Sequence, residues 1–146
     1  MEMNDMDDST YGDLKRMCDS IVETLNDFND GKVYDCETGA MVDKDELEEA
    51  WIKEHEDEEF ELDEERYEDL YTWLSDNYGV KIITDITGED LFGAEICVAW
   101  GGPNIYIETR DAYVRGYWGS TTVEVPFSYS VCDKINDIIN DWKECY

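Results

Sequence analysis

Carboxylates are the reactive groups this chain offers in quantity. They crowd most densely in residues 54–69, EHEDEEFELDEERYED, where eleven of sixteen residues are acids and Arg66 is the only Arg or Lys. Such groups have three kinds of chemistry: proton transfer between paired carboxyls, ligation of hard cations, and charge-assisted hydrogen bonding to Arg and Lys. With 39 acids and no pair set apart from the rest, proton transfer lacks a candidate. For cation ligation, residues 26–37 bring Asp30, Gly31 and Glu37 near EF-hand loop positions five, six and twelve. However, Asn26 at position one and Phe28 at position three spoil the ligand set. The third chemistry fits the spacing. Wound as a helix at roughly 1.5 Å per residue, residues 54–69 would span about 24 Å, or about one negative charge per 2.2 Å. Duplex DNA presents roughly one per 1.7 Å of axis. The candidate partner-binding carboxylates are therefore Glu54, Glu56, Asp57, Glu58, Glu59, Glu61, Asp63, Glu64, Glu65, Glu68 and Asp69, with Phe60 as an apolar contact among them. Asp43, Asp45, Glu46, Glu48 and Glu49 form a second row.

The remaining inventory does not suggest an enzyme. The single histidine, His55, lies inside the acidic run, so neither a Ser-His-Asp nor a Cys-His arrangement is evident and no zinc pattern containing His appears. Gly101-Gly102-Pro103-Asn104 is no phosphate loop, because no lysine follows it and its flanks read as strands. No catalytic residue, metal or cofactor is expected. Five cysteines, Cys18, Cys36, Cys97, Cys132 and Cys145, form no CxxC pair and read as reduced, mostly buried thiols. The first ten residues lack the basic and apolar regions of a signal peptide, and no apolar run reaches membrane-spanning length. The expected location is the bacterial cytosol.

A net charge of −28 with 42% apolar and 13% aromatic residues describes a chain that folds and repels nucleic acid and anionic membranes. Residues 1–79 hold 28 acids and 6 bases, and residues 80–146 hold 11 and 5. No repeat or Pro-rich linker divides them, so one α+β domain over residues 1–146 is expected, with an acidic helical half followed by a sheet and a C-terminal helix.

The positioning elements follow from periodicity. Tyr11, Leu14, Cys18, Ile21, Leu25 and Phe28 predict a helix over 10–29, capped by Ser9 or Thr10 and ended by Gly31. Residues 33–42 suggest a hairpin around Thr38-Gly39. Asp43 with Glu46 reads as a capping box opening a helix through Leu47, Ala50, Trp51 and Glu54. Asp63 reads as the cap of a helix through Tyr67, Leu70, Tyr71, Leu74 and Tyr78, stopped by Gly79. Residues 56–62 between these helices are open to helix, turn or loop, with Phe60 and Leu62 as apolar anchors. From Val80 the period becomes two, predicting antiparallel strands at 80–86, 94–100, 104–109, 112–118 and 121–125. Ser128 then caps an amphipathic helix with Val131, Cys132, Ile135, Ile138, Ile139 and Trp142 on its apolar stripe.

Residues 99–139, AWGGPNIYIETRDAYVRGYWGSTTVEVPFSYSVCDKINDII, resemble the C-terminal part of small proteins encoded by phages and prophages of Gram-positive bacteria, through GGPNIYIET and VRGYWG. The likeness carries no functional residues and contributes a phage context. Small acidic phage proteins include DNA-mimicking anti-CRISPR and antirestriction inhibitors, and the chain looks like that class. Its implied partner is a basic nucleic-acid-binding protein, a Cas effector or a restriction enzyme. Two other readings compete. In one, the acids solubilise a module that binds through its strands by Tyr106, Tyr113 and Tyr117; in the other, the charge serves high salt or loose cation buffering.

Overall fold

The computed structural model describes residues 2–56 and 58–145, with residues 2–8 as backbone alone. Helix α1 (Glu2–Asn29) is followed by a hairpin, β1 (Lys32–Asp35) and β2 (Ala40–Asp43), and by helix α2 (Lys44–Glu54). After a loop come β3 (Tyr67–Glu68) and the short helix α3 (Leu70–Ser75). A meander of β4 (Gly79–Thr84), β5 (Leu91–Ala99), β6 (Asn104–Glu108), β7 (Tyr113–Trp118) and β8 (Thr121–Pro126) leads to helix α4 (Tyr129–Glu144). The fold is α+β, built on two antiparallel sheets of order β2-β1-β3 and β4-β5-β6-β7-β8.

The two faces of the larger sheet follow from strand alternation. One row pairs Val80, Ile96, Ile107, Val114 and Val125 across the strands. Helix α1 lies over β7 and β8 on this side, and α4 over β5. Between them sit Leu14, Cys18 and Leu25 of α1, Leu74 of α3, and Val131, Cys132, Ile135 and Ile139 of α4, all buried in one cluster with the strand residues. Fully burying each Leu or Ile stabilises by roughly 1.5–3 kcal/mol. Gly116 sets how closely α1 approaches, since a Cβ there would lie 2.7 Å from Leu14 Cδ1 and 2.8 Å from Cys18 Sγ. The opposite face is open. Its rows are Lys81, Glu95, Glu108 and Tyr113, then Cys97, Tyr106, Arg115 and Glu124.

Strands β4 and β8 are the sheet's edges. Along β4, Val80 and Ile82 are 37% and 41% exposed above a groove of about 670 Å³ shared with Ile139 and Trp142, and Ile86 beyond the strand stands fully in solvent. Among the described residues, no helix is long and apolar enough to cross a membrane.

The meander and the Ser128 cap match the periodicity, with Ser128 Oγ accepting from Ser130 N at 3.2 Å. The hairpin around Thr38-Gly39 is present. Several expectations are corrected. Helix α1 starts at Glu2, so Ser9 and Thr10 lie inside it; nothing from Glu2 to Thr10 is a Gly or Pro that would stop it. It ends as expected, with Gly31 at φ +89 taking the left-handed turn. The first 79 residues are not purely helical, since they supply the three-stranded sheet. As expected, the cysteines are free and mostly buried: Cys18, Cys97 and Cys132 lie inside, while Cys36 and Cys145 are exposed. Asp63 does not cap a helix, Tyr67 is in a strand, and Tyr78 lies outside α3 at 68% exposure. Gly79 opens β4 instead of closing a helix. The cap of α3 is Asp69, whose carboxylate accepts from Thr72 N at 2.9 Å. Long-range pairing decides this region: β1 offers an edge at Tyr34 and Asp35, and Tyr67 and Glu68 take it.

Candidate functional site

The candidate carboxylates lie on three supports. Asp43 caps α2, its Oδ1 accepting from Asp45 N at 2.9 Å, and Asp45, Glu46, Glu48, Glu49 and Glu54 lie on that helix. The reciprocal half of the expected capping box is absent from the bonds of that cap. Glu56, Glu58, Glu59, Glu61, Asp63, Glu64 and Glu65 belong to the loop between α2 and β3, all of them exposed. Glu68 is in β3, and Asp69 caps α3. Asp57 lies outside the described residues.

This loop forms an acidic arm, and its path replaces the continuous helix that would have set charges at about 2.2 Å intervals. Two forces work against that helix. Four-residue spacings such as Glu54/Glu58 and Glu61/Glu65 would place like charges one above another on its surface. The arm's two apolar side chains also have better uses. Phe60 meets Trp51 edge to face at 6.0 Å, and the opposite side of the problem is solved by Leu62, which lines a cleft with Phe28, Val33, Leu70 and Ile138. At the start of the arm, His55 stacks on Trp51 at 4.4 Å and 13°. At its end, Asp63 closes a turn: its carboxylate accepts from Glu65 N and its carbonyl from Tyr67 N.

Arg66 fastens the arm. Its Nε and one terminal nitrogen each donate to Asp35 at 3.1 Å, the other terminal nitrogen reaches Glu37 at 3.2 Å, and its guanidinium lies over the Tyr67 ring at 5.1 Å. Arg66 O also accepts from Cys36 N at 2.8 Å. Asp35 is 3% exposed, and the Arg66 hydrogen bonds hold its carboxyl down at about 2, with bonds from Glu37 N and Thr38 adding to them against the opposing effect of burial. The one cation of the run is thus turned inward onto β1. Among the described residues, ion pairs engage Asp13, Asp19, Asp27, Asp35, Glu37, Glu108 and Glu124, and none engages a candidate carboxylate of the arm or of α2.

Periodicity carries no mark of this clamp. Its available signal is the isolation of Arg66 among acids, which asks what that arginine is for. Nor does periodicity mark Arg115, the hub of the open sheet face. Its guanidinium lies 4.7 Å from the centre of the Tyr113 ring, bonds Glu124 at 2.9 Å and Glu108 at 3.3 Å, and donates to the hydroxyls of Tyr117 and Tyr113. Hydrogen bonding to Glu108, then burial, pushes the Tyr113 hydroxyl up to about 12. Tyr106 meets Tyr117 edge to face at 6.0 Å, so the three tyrosines of the competing reading do share one face. They are tied into a network there through Arg115 and the Tyr106–Tyr117 contact.

Chemically, the described glutamates of the arm present exposed carboxylates to cationic donors from outside. Among the described residues, no group of three or more His, Cys, Asp or Glu side chains is disposed to hold a metal ion. Comparison of the chain with family models, curated proteins and solved structures finds no match.

Proposed function

We propose that this protein is an inhibitor of a nucleic-acid-targeting defence protein, acting as an acidic decoy that fills a basic DNA-binding cleft. The observation that carries the reading is the unneutralised arm: among the described residues its exposed carboxylates make no ion pair, while its single arginine is spent on Asp35 and Glu37. A surface meant only for solubility gains nothing from internal withdrawal of its one cation. A cleft lined with Arg and Lys, in contrast, recognises such a surface as it recognises phosphate. The proposed target is a Cas effector, with a restriction enzyme as the alternative within the same mechanism, since both hold DNA through Arg and Lys that contact phosphate.

Because the carboxylates lie on an anchored loop and a short helix, the imitation is one of charge density and not of regular helical rise. The loop can settle its acids onto the cations it meets, and exposed pairs at ~0–1 kcal/mol each make the energy a sum of many contacts. Binding should therefore weaken steeply with salt, by analogy with the slope of roughly −0.9 per neutralised phosphate.

Order of addition tests the mechanism. A purified Cas effector and a panel of restriction endonucleases are each mixed with the protein before or after their DNA. The expected result for the target is loss of DNA binding when the protein comes first and slow or absent inhibition when DNA comes first. A stable ternary complex of protein, target and DNA, with binding indifferent to salt, would overturn the reading in favour of a module that docks elsewhere.

A further inference from the structure

The open face of the larger sheet holds a second feature, distinct from the arm. At its β4–β5–β6 end, Tyr78, Lys81, Glu95, Cys97, Trp100 and Tyr106 line a concavity of about 420 Å³. Two of its aromatic walls project into solvent, Tyr78 at 68% and Trp100 at 65% exposure, so neither ring is used to fill the fold. Its floor is quiet. Cys97 is 6% exposed, its thiol donates to Ala99 O at 3.3 Å, and burial raises its pKa, so it offers no thiolate to a ligand.

The carboxylate in this concavity is Glu95. The register puts it directly opposite Glu108 on β6, and like charges facing each other across a ladder are destabilising. Glu108 has its cation, since Arg115 bonds it from the far side; among the described residues Glu95 takes part in no ion pair, although Lys81 stands opposite it on β4. A site with aromatic walls and a carboxylate outside any ion pair calls for a cation that also stacks. The same face already shows how it holds one: the Arg115 guanidinium lies 4.7 Å over the Tyr113 ring with carboxylates at its edges.

We propose that this concavity binds an arginine side chain of a partner protein, its guanidinium stacked against Trp100 or Tyr106 and hydrogen-bonded to Glu95. Arginine suits the site better than lysine because its planar, weakly hydrated head can stack and bond at once. A nucleobase could stack as well, but nucleic acid would approach against a net charge of −28. The site goes beyond the inhibitor reading and does not rest on it, since any protein presenting an arginine would serve.

The test uses the whole protein and a small probe, N-acetyl-arginine amide, followed by NMR at the Trp100 indole N–H, which a Trp100→Phe spectrum assigns. The expected result is a saturable shift, with N-acetyl-lysine amide binding several-fold more weakly. Glu95→Gln should weaken the arginine probe by roughly fivefold. Lys81→Gln, which removes the competing cation, should tighten it, and Asp137→Asn on the outer side of α4 should leave it unchanged. Trp100 is exposed, so Trp100→Ala should keep the fold and, followed at the Tyr106 backbone N–H because the indole reporter is gone, abolish the binding even if Glu95→Gln disturbs the sheet. An unsaturable shift, or one equal in Glu95→Gln, overturns the proposal. So does adenosine monophosphate shifting the indole while the arginine probe does not. A shift that grows with protein concentration and no probe would assign the face to a second copy of the chain, and would likewise overturn it.

Discussion

The acidic arm and the open face of the five-stranded sheet carry the same kind of side chain under opposite conditions. On the sheet, Glu108 and Glu124 are drawn to one guanidinium that also grips two tyrosine hydroxyls, so their charge is part of what holds the strands in register. On the arm, Glu56, Glu58, Glu59, Glu61, Glu64 and Glu65 face water with no ion pair among the described residues, and the loop keeps its place through Phe60, Leu62 and Arg66. Charge that serves the fold is paired, and charge left unpaired at such density is available to something else. The two regions should therefore answer differently to substitution.

The largest loss should come from neither, but from the core that supports both. Leu14→Ala empties the contact between α1 and β7 and should cost about 2–5 kcal/mol in urea unfolding; a smaller loss would mean that α1 is dispensable to the sheet. Next, Arg115→Gln leaves Glu108 and Glu124 without their partner and should cost about 1–3 kcal/mol. A neutral outcome would erase the distinction between the face and the arm.

The Asp35–Arg66 clamp comes third and has a pH signature. The Asp35 pKa is depressed in the folded protein, about 2 against an ordinary 3.8. The unfolded chain therefore takes up this proton first as pH falls. The clamp's contribution is present above about pH 4 and is lost as the pH drops from there through about 2. The stability gap between the native protein and Asp35→Asn should accordingly narrow over that interval. At neutral pH, Arg66→Gln should lower the melting temperature and expose the arm to proteolysis near its junction with β3. A gap that holds constant from pH 5 to pH 2 would show that the clamp is not linked to folding.

The smallest effect on the fold should come from Glu56→Gln, Glu58→Gln, Glu59→Gln and Glu61→Gln combined, each expected within about ±0.5 kcal/mol. The same four changes should weaken binding to the target and flatten its salt dependence. Stability lost in proportion to affinity would show that the arm's charges are structural after all.

What the sequence revealed follows the same division. Period-two alternation from Val80 to Val125 located the meander, because one face of each strand had to be apolar, and the stripe from Val131 to Trp142 located α4 in the same way. Periodicity carries no information about a strand of two residues. Tyr67 and Glu68 became β3 because Asp35 and Tyr34 offered an edge thirty-odd positions earlier, a pairing that local pattern cannot express. For the candidate site, composition pointed to the acidic run, but the helical rise assumed for it gave way to the arm. Trp51 and the Phe28–Leu70 cleft decide that path by drawing Phe60 and Leu62 to separate places.

The bare edge of β4 bears on how the molecule behaves in bulk solution. Val80 and Ile82 lie along a strand, with Ile86 just beyond it, whose outward backbone groups have no partner strand among the described residues, the arrangement by which sheets join into larger assemblies. Lys81 is the one charged side chain on that strand, too little by itself to keep another edge away. The guard is colloidal: a net charge of −28 holds whole molecules apart before their edges can meet. That guard disappears toward the isoelectric point near 4.1, where the chain keeps its fold's open seam but has lost the repulsion that made it harmless.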